Sequence, residues 1–173
     1  MGPSPGSRTA GVTGKRERGA RVRTWHKVLL VTIVLGLPTV ILGQMIWPSP
    51  SDGPEPTSGQ LGLFVGLSFF DALAWGLGIA WLLFALPRLR RIAGGSEWRA
   101  WAMYLSIGWA LVSWWPHSNM HRSNGDDLWG LLLIDYLFHP TLMLSALVLG
   151  WSLLTLPAAG ATRSSASTAA KPR

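Results

Sequence analysis

Cysteine is absent from this chain of 173 residues. Its absence excludes thiol nucleophiles, disulfide staples, iron–sulfur clusters and thiolate-ligated zinc. A metal could be held only by His, carboxylate, thioether, amide or backbone oxygen. Charge is scarce as well: Asp, Glu, Lys and Arg make up 13% of the residues, against about 25% in an ordinary soluble domain. That is too little to cover the surface of a water-soluble globule of this size. No full catalytic motif is recognisable, so no reaction is assigned from motifs.

Apolar side chains are plentiful, at 49% of the chain, and they are collected into blocks almost free of charge. The blocks run to roughly 20 residues, the length of helix that crosses a hydrocarbon layer of ~30 Å. Many of the 11 tryptophans fall at block edges, where indole rings favour the headgroup zone. The pattern predicts an all-α membrane protein, a bundle of four transmembrane helices over residues 25–47, 61–86, 100–115 and 128–156. Residues 25–157 form the membrane domain, flanked by a disordered basic tail over 1–24 and a short disordered tail over 158–173. The first block follows basic residues, as a signal peptide would, but it is longer than a signal core and no small-x-small cleavage site follows, so an anchor is expected. Pro38 is expected to kink it. Small-residue pairs in the second block, Gly62 with Gly66 and Gly76 with Gly78, are expected to admit a neighbouring helix.

Lys and Arg total 15, and with four spans all but Arg122 fall on one face. They cluster before Val28, in the 87–99 loop (Arg88, Arg90, Arg91, Arg99) and in the C-terminal tail. Positive charge collects on the cytoplasmic side, so both termini are expected in the cytoplasm and the loop at 117–127 outside. The same asymmetry accounts for the net charge of +7 through contact with anionic lipid, and nucleic acid is not expected as a partner. A Gly-, Ala- and Arg-rich composition with a basic tail fits a bacterial plasma (inner) membrane.

Against this apolar background a few ionisable residues stand out. Asp71 lies in the second block, Asp135 and His139 in the fourth, and His117 and His121 in the polar loop WWPHSNMHRSNGDD. A carboxylate inside a bilayer costs a few kcal/mol on insertion scales and persists when paired, protonated or used. Asp135 and His139 are spaced i, i+4 and share a helical face, and His117 and His121 do so if Pro116 opens a helical turn. Pro140 removes a helical donor and frees the carbonyl of Tyr136 near His139. A short third helix and a long fourth would draw His117, His121, Asp135 and His139 together, with Asp71 facing them. Such a set suits zinc, copper or iron. Met120 and Met143 would favour Cu(I) only if turned inward, and Asn119, Asn124, Asp126 and Asp127 are candidate acceptors for the imidazole N–H groups. Structural readings compete: a hydrogen bond tying the fourth helix to a neighbour, interfacial histidines, Asp71 bonded to Ser68, and Asp127 capping the fourth helix.

The leading functional expectation is a membrane protein binding a divalent or copper ion at a His/Asp site facing away from the cytoplasm. The alternatives are a non-enzymatic helical subunit or scaffold of a larger membrane assembly, or of a homo-oligomer, and proton or small-solute translocation through Asp71, Asp135 and His139.

Overall fold

The computed structural model describes residues 9–51 and 55–156, with side chains from Arg23 onward. All regular structure among them is helical, in the order α1 (Thr9–Ile46), α2 (Ser58–Phe84), α3 (Leu86–Ile92), α4 (Glu97–Val112), α5 (Trp114–Asn124) and α6 (Leu128–Leu154). Three segments are long and apolar enough to cross a membrane: Arg23–Ile46, Ser58–Phe84 and Leu128–Leu154. Their side chains are largely exposed, including Phe70 at 74% and Leu154 at 86%. A helix apolar all round, with little of that surface covered by protein, suits lipid rather than water.

Several boundaries differ from the sequence expectation. Helix α1 begins at Thr9, so its backbone includes most of the segment expected as a disordered tail. Ala, Lys, Arg and Glu are good helix formers and can extend a helix already nucleated by an apolar span. Residues 1–8 and the tail expected over 158–173 lie outside the described residues. The expected third span corresponds to α4, only 16 residues long and too short to stand with the three candidate spans. The chain bends at Ser113, and the segment expected as a polar loop is instead the 11-residue helix α5. Pro116 sits in its first turn, where its missing N–H leaves no helical bond unmade.

Helix starts follow local chemistry. Thr57 and Gln60 form a capping box on α2. Ser96 accepts from the Arg99 amide at the start of α4. Asp127 accepts from the Trp129 and Gly130 amides at 3.1 and 3.3 Å, as the sequence suggested, and starts α6. Between α5 and α6, Gly125 holds φ 56° and ψ −130°, a backbone region effectively reserved for glycine. This sharp reversal lays α6 back along α5.

Helix α2 is the hub: α1, α3, α4 and α5 all pack on it, and α6 packs on α4 and α5. The α1–α2 contact is built on Gly36 and Gly76, where a Cβ on Gly76 would meet the Thr32 carbonyl and, at 3.0 Å, Gly36. Gly78 gives α4 the same close approach at Leu111 and Val112. Gly62 and Gly66, expected to do likewise, have nothing within 4 Å of an added Cβ. A Gly76→Leu substitution should therefore cost about 1–3 kcal/mol or more by overpacking. Gly62→Leu should be neutral or stabilising, because leucine has the better helix propensity. Thermal unfolding of the two variants in detergent checks the contrast.

Candidate metal centre

Helix α5 presents His117 and His121 on one face, and α6 presents Asp135 and His139. The Nε2 atoms of His117 and His121 are 3.0 Å apart. His121 Nε2 lies 3.3 Å from Asp135 Oδ1, and His139 Nδ1 lies 3.5 Å from the same oxygen. The rings of His117 and His139 meet edge to face, with centroids 5.1 Å apart and planes at 78°. One ligating atom each from His117, Asp135 and His139 falls within 4.8 Å of the others, so these three residues could hold a metal ion. Ligands about 2.0–2.1 Å from a tetrahedral ion stand about 3.3–3.4 Å from one another. The three neighbouring contacts, at 3.0, 3.3 and 3.5 Å, are close to that spacing, while the His117, Asp135 and His139 ligand atoms as a group lie within 4.8 Å.

Burial is graded across the cluster. His117 is only 7% exposed, with Trp114 and Phe138 against its ring and Trp109 stacked on Phe138. The side chains of Asp135 and His139 are 44% and 54% exposed, so the cluster is closed on the α5 side and open along α6. Burial pushes the His117 imidazole below its ordinary value. The neighbouring His121 and His139 add to that shift, and Asp135 partly offsets it.

Two features hold α5 and α6 in place. Near Pro140, Thr141 Oγ1 donates to the Leu137 and Phe138 carbonyls at 2.9 and 3.0 Å and accepts from Trp109 Nε1 at 3.1 Å. This ties α6 to α4 two residues from His139. On the other side of α5, Arg122 Nη2 donates to the Gly43 and Trp47 carbonyls at 3.4 and 3.3 Å, and to Asn119 Oδ1 at 2.6 Å. The guanidinium thus caps the C-terminal carbonyls of α1, where a cation is favoured. Trp115 donates to the Thr39 carbonyl at 3.0 Å and packs against Trp47 and Trp75.

The sequence-predicted residues divide accordingly. His117, His121, Asp135 and His139 come together. Asp71 is placed elsewhere: its buried carboxyl accepts a hydrogen bond from Ser118, on the side of α5 that faces α2. Ser68, its suggested partner, instead donates to the Phe64 carbonyl. The polar residues proposed to orient the histidines have other roles. Asn119 bonds Arg122 and the Trp115 carbonyl, Asn124 donates to the Asp127 carbonyl, and Asp127 caps α6. Met143 is 66% exposed and offers no inward thioether. The Trp109–Thr141 brace and the Arg122 cap were not anticipated. A lone arginine in the 117–127 segment is the one sign of the cap visible in the sequence.

No protein-family model, curated protein or solved structure matches the chain. The class is set by the fold and site alone: a helical protein with apolar helices suited to a membrane and one His/Asp cluster. The function rests on that cluster.

Proposed function

We propose that the chain is a four-span inner-membrane protein, with α4 as its fourth crossing and both ends in the cytoplasm, that binds one divalent transition-metal ion on its extracytoplasmic side. The ligands are His117, His121, Asp135 and His139. The observation that supports this reading is the convergence of His117, Asp135 and His139 from two helices, with ligand atoms within 4.8 Å of one another, and of His121 at 3.0 Å from His117 and 3.3 Å from Asp135. Two neutral Nε2 lone pairs at 3.0 Å repel unless a proton or a cation lies between them. With nitrogen and oxygen donors and no soft sulfur, Zn²⁺ and Cu²⁺ are the fitting ions. The exposed side at Asp135 and His139 leaves room for a water or an exchanging ligand. That suits metal handover or metal-assisted hydrolysis better than a closed structural site.

Purified protein titrated with Zn²⁺ or Cu²⁺ should bind one ion per chain, read by elemental analysis after desalting and, for Cu²⁺, by nitrogen hyperfine splitting from imidazole. Absence of stoichiometric metal with either ion overturns the reading.

A scaffold role is the competing interpretation. Its support is the uncovered surface of α2 at Gly62 and Gly66 and the exposed flank of α6. On that reading Gly62→Leu would dissociate a complex; on the metal reading it leaves metal content unchanged.

A further inference from the structure

The two ends of the helical assembly are finished differently. Helices α1 and α4 both pack on α2 but not on each other, so a gap runs between them with α2 as its floor. At the end near the metal cluster α5 enters this gap, and Trp115 seals it against Trp47 and Trp75. At the opposite end no described residue enters in the same way. A cavity of about 1070 Å³ opens there, at the upper limit of ordinary small-molecule pockets, about 300–1,000 Å³.

Its lining is chemically divided. Leu77, Ala80, Trp81, Phe84, Ile107 and Leu111, from α2 and α4, give it an apolar wall. The rim carries Arg88 and Arg91 from α3, with Trp25 across from them on α1. Arg90 is committed to Glu97 at 3.0 Å, and Arg99 donates to the Ala93 carbonyl. Among the described residues Arg88 and Arg91 have no carboxylate partner. Two guanidinium groups beside an indole, above an apolar slot that begins where α2 ends, match an amphiphile with an anionic headgroup and hydrocarbon chains. The chain's own flanking segments offer no matching side chain: residues 1–8 and 157–173 carry Arg8, Arg163, Lys171 and Arg173 and no Asp or Glu.

We propose that this slot is a specific site for one anionic phospholipid, its phosphate held by Arg88 and Arg91 and an acyl chain lying on α2 between α1 and α4. The lipid completes the gap at this end as α5 completes it at the other.

Native mass spectrometry of the full chain in detergent, with phosphatidylglycerol and phosphatidylcholine of identical chains in competition, tests the site. One phosphatidylglycerol should be retained per protein, with at least a fivefold preference. Arg88→Gln with Arg91→Gln should abolish the preference, and Arg90→Gln should keep it. Equal retention of the two lipids, or an unchanged preference in the double variant, overturns the proposal. A wild-type measurement covers the case in which the double variant does not fold. Phosphatidylglycerol should raise the melting temperature, whereas phosphatidylcholine and chain-free glycerol phosphate at equal concentration should not. No shift with phosphatidylglycerol, or the same shift with glycerol phosphate, also overturns it. None of these readouts depends on the metal centre.

Discussion

Replacing His117 and His139 together by alanine should strip the protein of stoichiometric metal, lowering affinity at least ~10³-fold. Loss of a partner that only orients a ligand costs about 10–100-fold, and this variant removes two ligands outright. What remains, His121 and Asp135 at 3.3 Å, is a two-point contact that water competes with easily. The fold should survive. His139 is half exposed and its loss leaves no cavity. His117 is buried against Trp114 and Phe138, and its truncation should cost about 1–3 kcal/mol. Far-UV circular dichroism should therefore stay helical while elemental analysis reads near zero. Asp71→Asn is the informative control. Its carboxyl meets Ser118 rather than the cluster, so metal content should match the wild type. Full metal retention in the double variant would end the assignment, and loss in Asp71→Asn would show that the site reaches across α5.

The contrast between Asp71 and the other four residues shows how far a sequence can be read here. Membrane-spanning length and composition are local properties, and three of the blocks met them directly. The i, i+4 pairs, His117 with His121 and Asp135 with His139, are also local: once each segment is helical, each pair shares a face. Bringing the pairs together needed only that α5 and α6 be consecutive and antiparallel, which the Gly125 reversal provides. Asp71 differed because its partner depended on how α2 and α5 rotate against each other. Depth along the helix, the one coordinate available from the sequence, is silent on rotation. The same gap explains the glycines. Gly62 and Gly76 look alike in sequence, but only Gly76 meets a neighbour, because the α1–α2 crossing lies at Gly36. The polar run 117–127 reads as a loop because its low apolar content masks a helix, with only a turn opened by Pro116 suggested; α5 in fact runs from Trp114 to Asn124, with Pro116 in its first turn.

Metal affinity should also depend steeply on pH, in a direction set by His117. Ligation requires the neutral ring, so protons and metal compete for the same nitrogen, and a free imidazole takes up its proton near pH ~6.5. Burial, reinforced by His121 and His139, holds His117 below that value despite the opposing pull of Asp135. The ring therefore stays ready to bind at acidities where an exposed histidine is already charged. Affinity should be flat above pH ~7.5 and fall by at least ~100-fold by pH ~5, since at least two imidazoles must be neutral for ligation. The metal-free protein should respond in the same direction. Between the unfolded and folded values of His117 the unfolded chain binds the extra proton, so this residue's contribution to stability is complete above pH ~6.5 and is lost as pH falls further. His117→Ala should flatten that part of the stability profile, measured as melting temperature against pH with metal removed by a chelator. A metal-free profile equally steep in wild type and variant would place the titrating group elsewhere. Affinity independent of pH over the whole range would mean that imidazole nitrogens are not the donors. The buried ring thus links both quantities: the apolar packing that resists its protonation is what would keep a metal bound as pH falls.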